Sequence, residues 1–176
     1  MPRLLIPVIL TCALALTSRP ASAQSAATPP VAEHSRYAAG LVAGVSQFDL
    51  SGTGTTALFG ARVDAELQRW LVVEGALESF HPQEQFGLNS RYTIPEVQLQ
   101  VQYPGRVVRP YLGVGGGYML ASDGREKQGT GSGALGFRVA PQNAPVAVLA
   151  ELRVRGVGKS FGGSTAEWTV GLVHPF

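Results

Sequence analysis

The sequence predicts an all-β fold, an eight-stranded antiparallel up-and-down transmembrane β-barrel, and three observations carry that prediction. From residue 37 onward apolar and polar side chains alternate with period two and never lapse into helical spacing, as in strands with one oily and one polar face. Turn-forming clusters divide this stretch into eight segments of roughly 10 to 14 residues, and about 9 to 11 suffice to cross a bilayer at the usual tilt. The last segment, 164–176 (STAEWTVGLVHPF), ends on an aromatic residue. In it Ala166, Trp168, Val170, Leu172, His174 and Phe176 share one parity, and Thr165, Glu167, Thr169 and Gly171 the other. A terminal strand of this kind needs a partner, because an unpaired edge is an aggregation site, and closure of the sheet supplies one.

Composition points the same way. Charged residues make up only 15% of the 176 residues, well under the roughly 25% of soluble domains, so water does not solvate this chain on every side. A net charge of +2 is too small to support nucleic-acid binding. The length suits one domain.

Residues 1–23 read as a signal peptide. Arg3 supplies the positive start, 4–16 the apolar run and Ala21, Ser22 and Ala23 the small-residue cleavage pattern. The run is too short for a membrane-spanning helix, which needs about 20 apolar residues. The single cysteine, Cys12, lies inside the apolar run after Thr11, so a lipid anchor is not expected, and the mature chain would carry no disulfide. Residues 24–36, with Pro29 and Pro30 and no periodicity, read as a flexible periplasmic lead-in, leaving 37–176 for the barrel.

The strands follow in order. The first, 37–49, ends at the turn SGTG, and the second, 55–68, sets Phe59, Ala61, Val63, Ala65 and Leu67 against Arg62, Asp64, Glu66 and Gln68. The third, 72–81, opposes Val73, Gly75 and Leu77 to Glu74 and Glu78. The fourth, 90–103, opposes Val97, Leu99, Val101 and Tyr103 to Glu96, Gln98, Gln100 and Gln102, and Pro95 within it predicts a bulge. The fifth, 110–121, turns Leu112, Val114, Tyr118 and Leu120 outward and Gly113, Gly115 and Gly117 inward. The sixth, 131–140, follows the longest loop, 122–130. The seventh, 146–157, sets Val148, Leu152 and Val154 against Glu151, Arg153 and Arg155, and 164–176 is the eighth.

Alternation alone fits both a soluble barrel with an oily cavity and a membrane barrel with an oily outside. The export signal, the aromatic final strand and aromatics near predicted strand ends (Phe48, Trp70, Phe80, Tyr103, Trp168 and Phe176) favour the membrane barrel, the last as interfacial girdles. Edge amides in hydrocarbon have no water to bond, which requires the sheet to close. Arg62, Asp64, Glu66, Glu74, Glu78, Glu96, Arg138, Glu151, Arg153, Arg155 and Glu167 then point inward as a lumen charge network. An eight-stranded barrel is just wide enough inside to be filled by side chains, so these charges are expected to pair into a plug, with the inward glycines of the fifth strand making room for the arginines.

The run PYLGVGGGY at 110–118 and the terminal EWTVGL at 167–172 ending in Phe176 resemble the small outer-membrane β-barrels of the outer membrane protein A-like family over residues 37–176. The resemblance implies residence in a Gram-negative outer membrane, contact with outer-membrane lipid, and insertion by the barrel-assembly machinery. Trp168, Val170, Leu172 and Phe176 match its assembly signal. His174, where an aromatic is more usual, and Pro175 depart from it. No peptidoglycan-binding domain follows the barrel, so cell-wall tethering is not implied.

Motifs for chemistry are sparse. GSGALG at 131–136 matches a nucleotide-binding glycine pattern in letters, but strand rather than helix follows it. Ser79 and His81 share a face of the third strand, whereas Glu74 and Glu78, the carboxylates that would orient a triad, sit on the other. His34, His81 and His174 are scattered without ligand spacing. No catalytic residue, cofactor or metal is expected. The function expected is a structural or interaction role, from the strand count, the plugged interior and the lack of a triad or metal site, and the external loops, four to about nine residues, are short for an elaborate adhesive surface. The alternatives are a narrow channel or carrier of small apolar ligands resembling outer membrane protein W, and, more remotely, a lipid A-modifying enzyme.

Overall fold

In the computed structural model eight strands follow one another: β1 (Tyr37–Phe48), β2 (Gly54–Gln68), β3 (Leu71–Phe80), β4 (Tyr92–Gln102), β5 (Val108–Ala121), β6 (Lys127–Val139), β7 (Ala147–Val157) and β8 (Gly163–Pro175). The structure describes residues 36–48, 54–81, 91–122, 124, 127–141, 144–158 and 163–176. The expected signal peptide, Cys12, His34 and all of the lead-in but Arg36 lie outside the described residues. Each strand pairs antiparallel with its neighbour in sequence, and β8 returns to β1, so the sheet is a closed up-and-down barrel. Both ends of the barrel chain and the turns after β2, β4 and β6 lie at one rim, called here the terminal rim. The other four connections lie at the loop rim.

Most boundaries fall within two residues of expectation. The exception is β6, which begins at Lys127 rather than 131, because Gln128, Gly129 and Thr130 pair with Met119, Tyr118 and Gly117 of β5. Glycine and short polar residues carry no alternation signal, so only the partner strand reveals them as sheet.

Parity sorts the faces as period two requires. Leu41, Val63, Val97, Val114, Leu135, Val154, Val170 and Leu172 are exposed on the outside, while Arg62, Glu74, Glu96, Arg153, Arg155 and Glu167 are buried within. Leu172 keeps 57% of its surface accessible and Arg153 only 1%, the arrangement of a lipid-facing barrel and the reverse of a water-soluble one. At the seam between the first and last strands, a Cβ on Gly40 would come within 2.6 Å of the Leu172 carbonyl oxygen, and one on Gly171 within 2.6 Å of that of Leu41. Glycine is what lets the two strands that close the barrel approach this tightly.

Three details depart from the sequence reading. Pro95 makes no bulge: Thr93 pairs with Leu120 and Glu96 with Gly117 in one unbroken register, and only the positions between them drop out of the β4–β5 ladder. A proline subtracts one donor, whereas a bulge requires an added residue. The irregularity lies instead in β2, between Glu66 and Gln68, next to the tight turn at Arg69 and Trp70. Phe80 is not a girdle residue either. It is buried inside the barrel and stacks on Tyr92 with ring centroids 5.6 Å apart, because its parity is that of Glu74 and Glu78. Trp70, Tyr103, Trp168 and Phe176 are exposed as expected, and the side chain of Phe48 lies outside the described ones.

Candidate functional site

The candidate site is the barrel interior. Parity turns one polar side chain inward at every second residue, and neighbouring strands bring those side chains to one level, so charges distant in sequence meet. Arg153, from the middle of β7, is the hub: its Nη2 lies 3.0 Å from Glu74 and 2.9 Å from Glu151, and its Nη1 lies 3.0 Å from Glu96 and 3.5 Å from Glu78. Arg62 reaches across from β2 to Glu78 and Glu151, both at 2.9 Å, and to Glu74 at 3.6 Å. Arg155 pairs with Glu78 at 2.8 Å, with Glu96 at 3.1 Å and with Glu167. Arg138 holds Asp64 at 3.1 Å and Glu74 at 3.6 Å, and donates to Gln100 at 2.8 Å.

Neutral groups complete the set. The Tyr111 hydroxyl donates to Glu151 at 2.7 Å, Ser132 to Glu96 at 2.6 Å, Gln100 to Glu74 at 2.9 Å and Thr165 to Glu167 at 2.9 Å. Such partners matter because a buried ion pair offsets its desolvation only when the remaining lone pairs and protons are also satisfied. Glu66, predicted in this network, stands apart from it. It faces Arg109 at 3.9 Å near the terminal rim, where both side chains remain partly accessible. Arg109 lies outside the expected fifth strand because β5 begins two residues earlier, at Val108, and its parity matches that of the inward Tyr111 and Gly113.

The inward glycines make room, but for other neighbours than the arginines. A Cβ on Gly113 would lie 2.7 Å from the Gln98 side chain, one on Gly115 2.8 Å from Glu96 Oε1 and 2.9 Å from Ser132 Oγ, and one on Gly60 2.9 Å from Glu78. They accommodate Gln98, Ser132, Glu96 and Glu78, and the two glutamates are the ones that receive arginines.

The interior also holds apolar groups that charge patterning does not announce. Leu58, Phe80, Tyr92, Ile94 and Ala121 form a buried cluster toward the loop rim, with Met119 packed against it. Val42, Tyr111, Leu149 and Val173 form a second toward the terminal rim. The ion pairs around Arg153 run between them, and the Arg138–Asp64 pair is level with the second, since Arg138 is the strand partner of Leu149 and Asp64 that of Ala38. The signal was present in the sequence, since Leu58 and Ile94 share the parity of Arg62 and Glu96, but in a barrel read as oily outside an apolar residue on the inner parity looks like noise.

The other motifs have structural surroundings of their own. Ser79 donates to the Tyr92 carbonyl oxygen at 3.1 Å, and Glu74 and Glu78 stay committed to lumen arginines, so no described carboxylate is positioned to orient His81. Residues 131–136 lie wholly within β6. His174 contacts the Pro145 carbonyl oxygen through Nδ1 at 2.7 Å, and among the described residues no group of His, Cys, Asp and Glu has the arrangement of a metal site.

No family model matches the sequence, and no curated protein matches it. Solved structures do. Neisserial surface protein A superposes with a TM-score of 0.68 at 14% identity, over 81% of this chain and 98% of that one. The N-terminal β-barrel domain of Pseudomonas aeruginosa OprF gives 0.54 at 16% identity, over 78% and 97%. The outer membrane enzyme PagL gives 0.52 at 11% identity, over 78% and 99%. At these identities the likeness is one of fold, shared by enzymes and other proteins alike. The chain has the fold of the small eight-stranded outer-membrane barrels.

Proposed function

We propose that this protein resides in the outer membrane of a Gram-negative bacterium, reaches it through a cleaved signal peptide, and serves there as a structural or interaction barrel with a closed interior rather than as an enzyme. One observation supports the closed interior above the rest: four guanidiniums and six carboxylates are joined in one ion-pair network inside the barrel, and two buried apolar clusters share the interior with it. An ion crossing the interior would have to break several buried pairs at once and pass the apolar clusters as well. The outward apolar surface is the part that meets outer-membrane lipid, and outward-facing Trp168, Val170 and Leu172, with Phe176, form the signal offered to the barrel-assembly machinery. Among the described residues Ser79 and His81 have no acidic orienter, which favours this reading over a lipid A-modifying activity.

A narrow channel is the competing reading. It draws on buried polar atoms that lack a protein partner, among them Asp64 Oδ1, Gln98 Nε2, Gln102 Oε1 and Glu167 Oε2, which water would satisfy. Planar-bilayer recording of the refolded protein separates the two. The closed barrel gives no reproducible unitary conductance. Steady openings that disappear when Arg153 and Glu96 are neutralised would overturn it.

A further inference from the structure

The terminal rim carries a one-sided cationic collar. Arg36 precedes β1, Arg69 forms the β2–β3 turn and Arg106 sits in the β4–β5 turn, all three exposed. Arg36 and Arg69 each adjoin an exposed girdle aromatic in sequence, Tyr37 and Trp70, and Arg106 shares its turn with a third, Tyr103. The backbone under two of them is pinned, since Arg36 O accepts from Glu66 N at 2.7 Å and Arg69 O from the Gln102 side chain at 3.1 Å. The turns of this rim, 69–70, 103–107 and 140–146, contain no Asp or Glu. The nearby Glu66 is engaged by Arg109, and among the described residues none of the three arginines has a carboxylate partner. The β6–β7 turn, APQNAPV, carries no charge at all, so the positive arc spans only the β1–β5 side.

We infer that this arc binds the phosphate headgroups of anionic phospholipids, holding a shell of them against the β1–β5 side of the terminal rim. Charge complementarity and depth both select that occupant. Girdle aromatics settle at headgroup level, which sets the adjacent guanidiniums at the height of lipid phosphates, and a guanidinium can grip a phosphate with two parallel hydrogen bonds. A soluble anionic partner would not need the aromatic beside each arginine.

The inference rests on the membrane reading, and the test separates the two. The protein is refolded into phosphatidylcholine bilayers at low salt with trace spin-labelled phosphatidylglycerol or phosphatidylcholine, and the motionally restricted fraction of each probe is measured. Failure to insert would count against the membrane reading itself. Insertion should come with a preference for phosphatidylglycerol that salt screens, and that falls by about fivefold at the site served by each arginine removed, the factor for one basic residue near an anionic surface. The variant R36Q/R69Q/R106Q should lose the preference while keeping the heat-modifiable gel mobility of a folded barrel. R91Q/K127Q, altered at the loop rim, should retain it. If the triple variant does not fold, R69Q and R106Q singly should each lose part of the preference. Selectivity unchanged in these variants, or lost equally in the loop-rim variant, overturns the inference.

Discussion

Arg153 makes ion pairs with four carboxylates and Arg155 with three, yet replacing Arg155 should cost more. Without Arg153, every carboxylate it served keeps another cation: Glu74 keeps Arg62 and Arg138, Glu78 keeps Arg62 and Arg155, Glu96 keeps Arg155, and Glu151 keeps Arg62 at 2.9 Å. Without Arg155, Glu78 and Glu96 still hold Arg153, but Glu167 loses its arginine and is left with the Thr165 hydroxyl. Glu167 is fully buried, so the stranded charge is cut off from bulk solvent. Removing one partner of a buried pair costs about 3–5 kcal/mol, and the redundancy around Arg153 sets Arg153→Met near the lower figure and Arg155→Met at or beyond the upper. Methionine roughly keeps the length and removes the charge. The second half of the prediction is repair: Arg155→Met combined with Glu167→Gln should recover at least half of the loss, because the charge that lacked a partner is gone. Reversible guanidinium unfolding in lipid vesicles, followed by the emission of Trp70 and Trp168, measures all four proteins. An Arg153→Met variant less stable than Arg155→Met, or a double variant no better than Arg155→Met alone, would refute the idea that partner redundancy rather than pair count governs the interior.

Two further outcomes follow from the geometry. Gly115→Ala places a Cβ 2.8 Å from Glu96 Oε1 and 3.0 Å from the Val97 carbonyl oxygen and should destabilise by about 1–3 kcal/mol, whereas Gly133→Ala, on the outer face with nothing within 4 Å, should be neutral or slightly stabilising; the same unfolding assay compares them. On the lipid-facing surface, Leu172→Arg should cost up to about 2–4 kcal/mol in vesicles, the figure for a cation at the bilayer midplane, while in a water-soluble barrel the change would be nearly silent.

Much of this architecture was legible before any coordinates, for one reason: period two is a local property. Whether Arg62 and Val63 fall on opposite faces depends only on the pleat of β2, and the same holds for Arg153 and Val154 in β7. Strand number, antiparallel order and the inward set of charges could therefore be read directly. Where the local signal is weak the sequence misleads, as at Gly129 and Thr130, which are strand because β5 pairs with them, and at Pro95, which lacks a donor but adds no residue to the strand.

The sequence by itself determined which side chains share a face, because alternation is written residue by residue along each strand. Only the tertiary structure decided which of them meet. Arg62 from β2 and Glu151 from β7 lie 2.9 Å apart across the lumen, and Leu58, Phe80 and Ile94 from three strands close the loop side of the interior. These neighbours depend on the register and curvature of the closed sheet, and register is a relation between strands that no single strand contains.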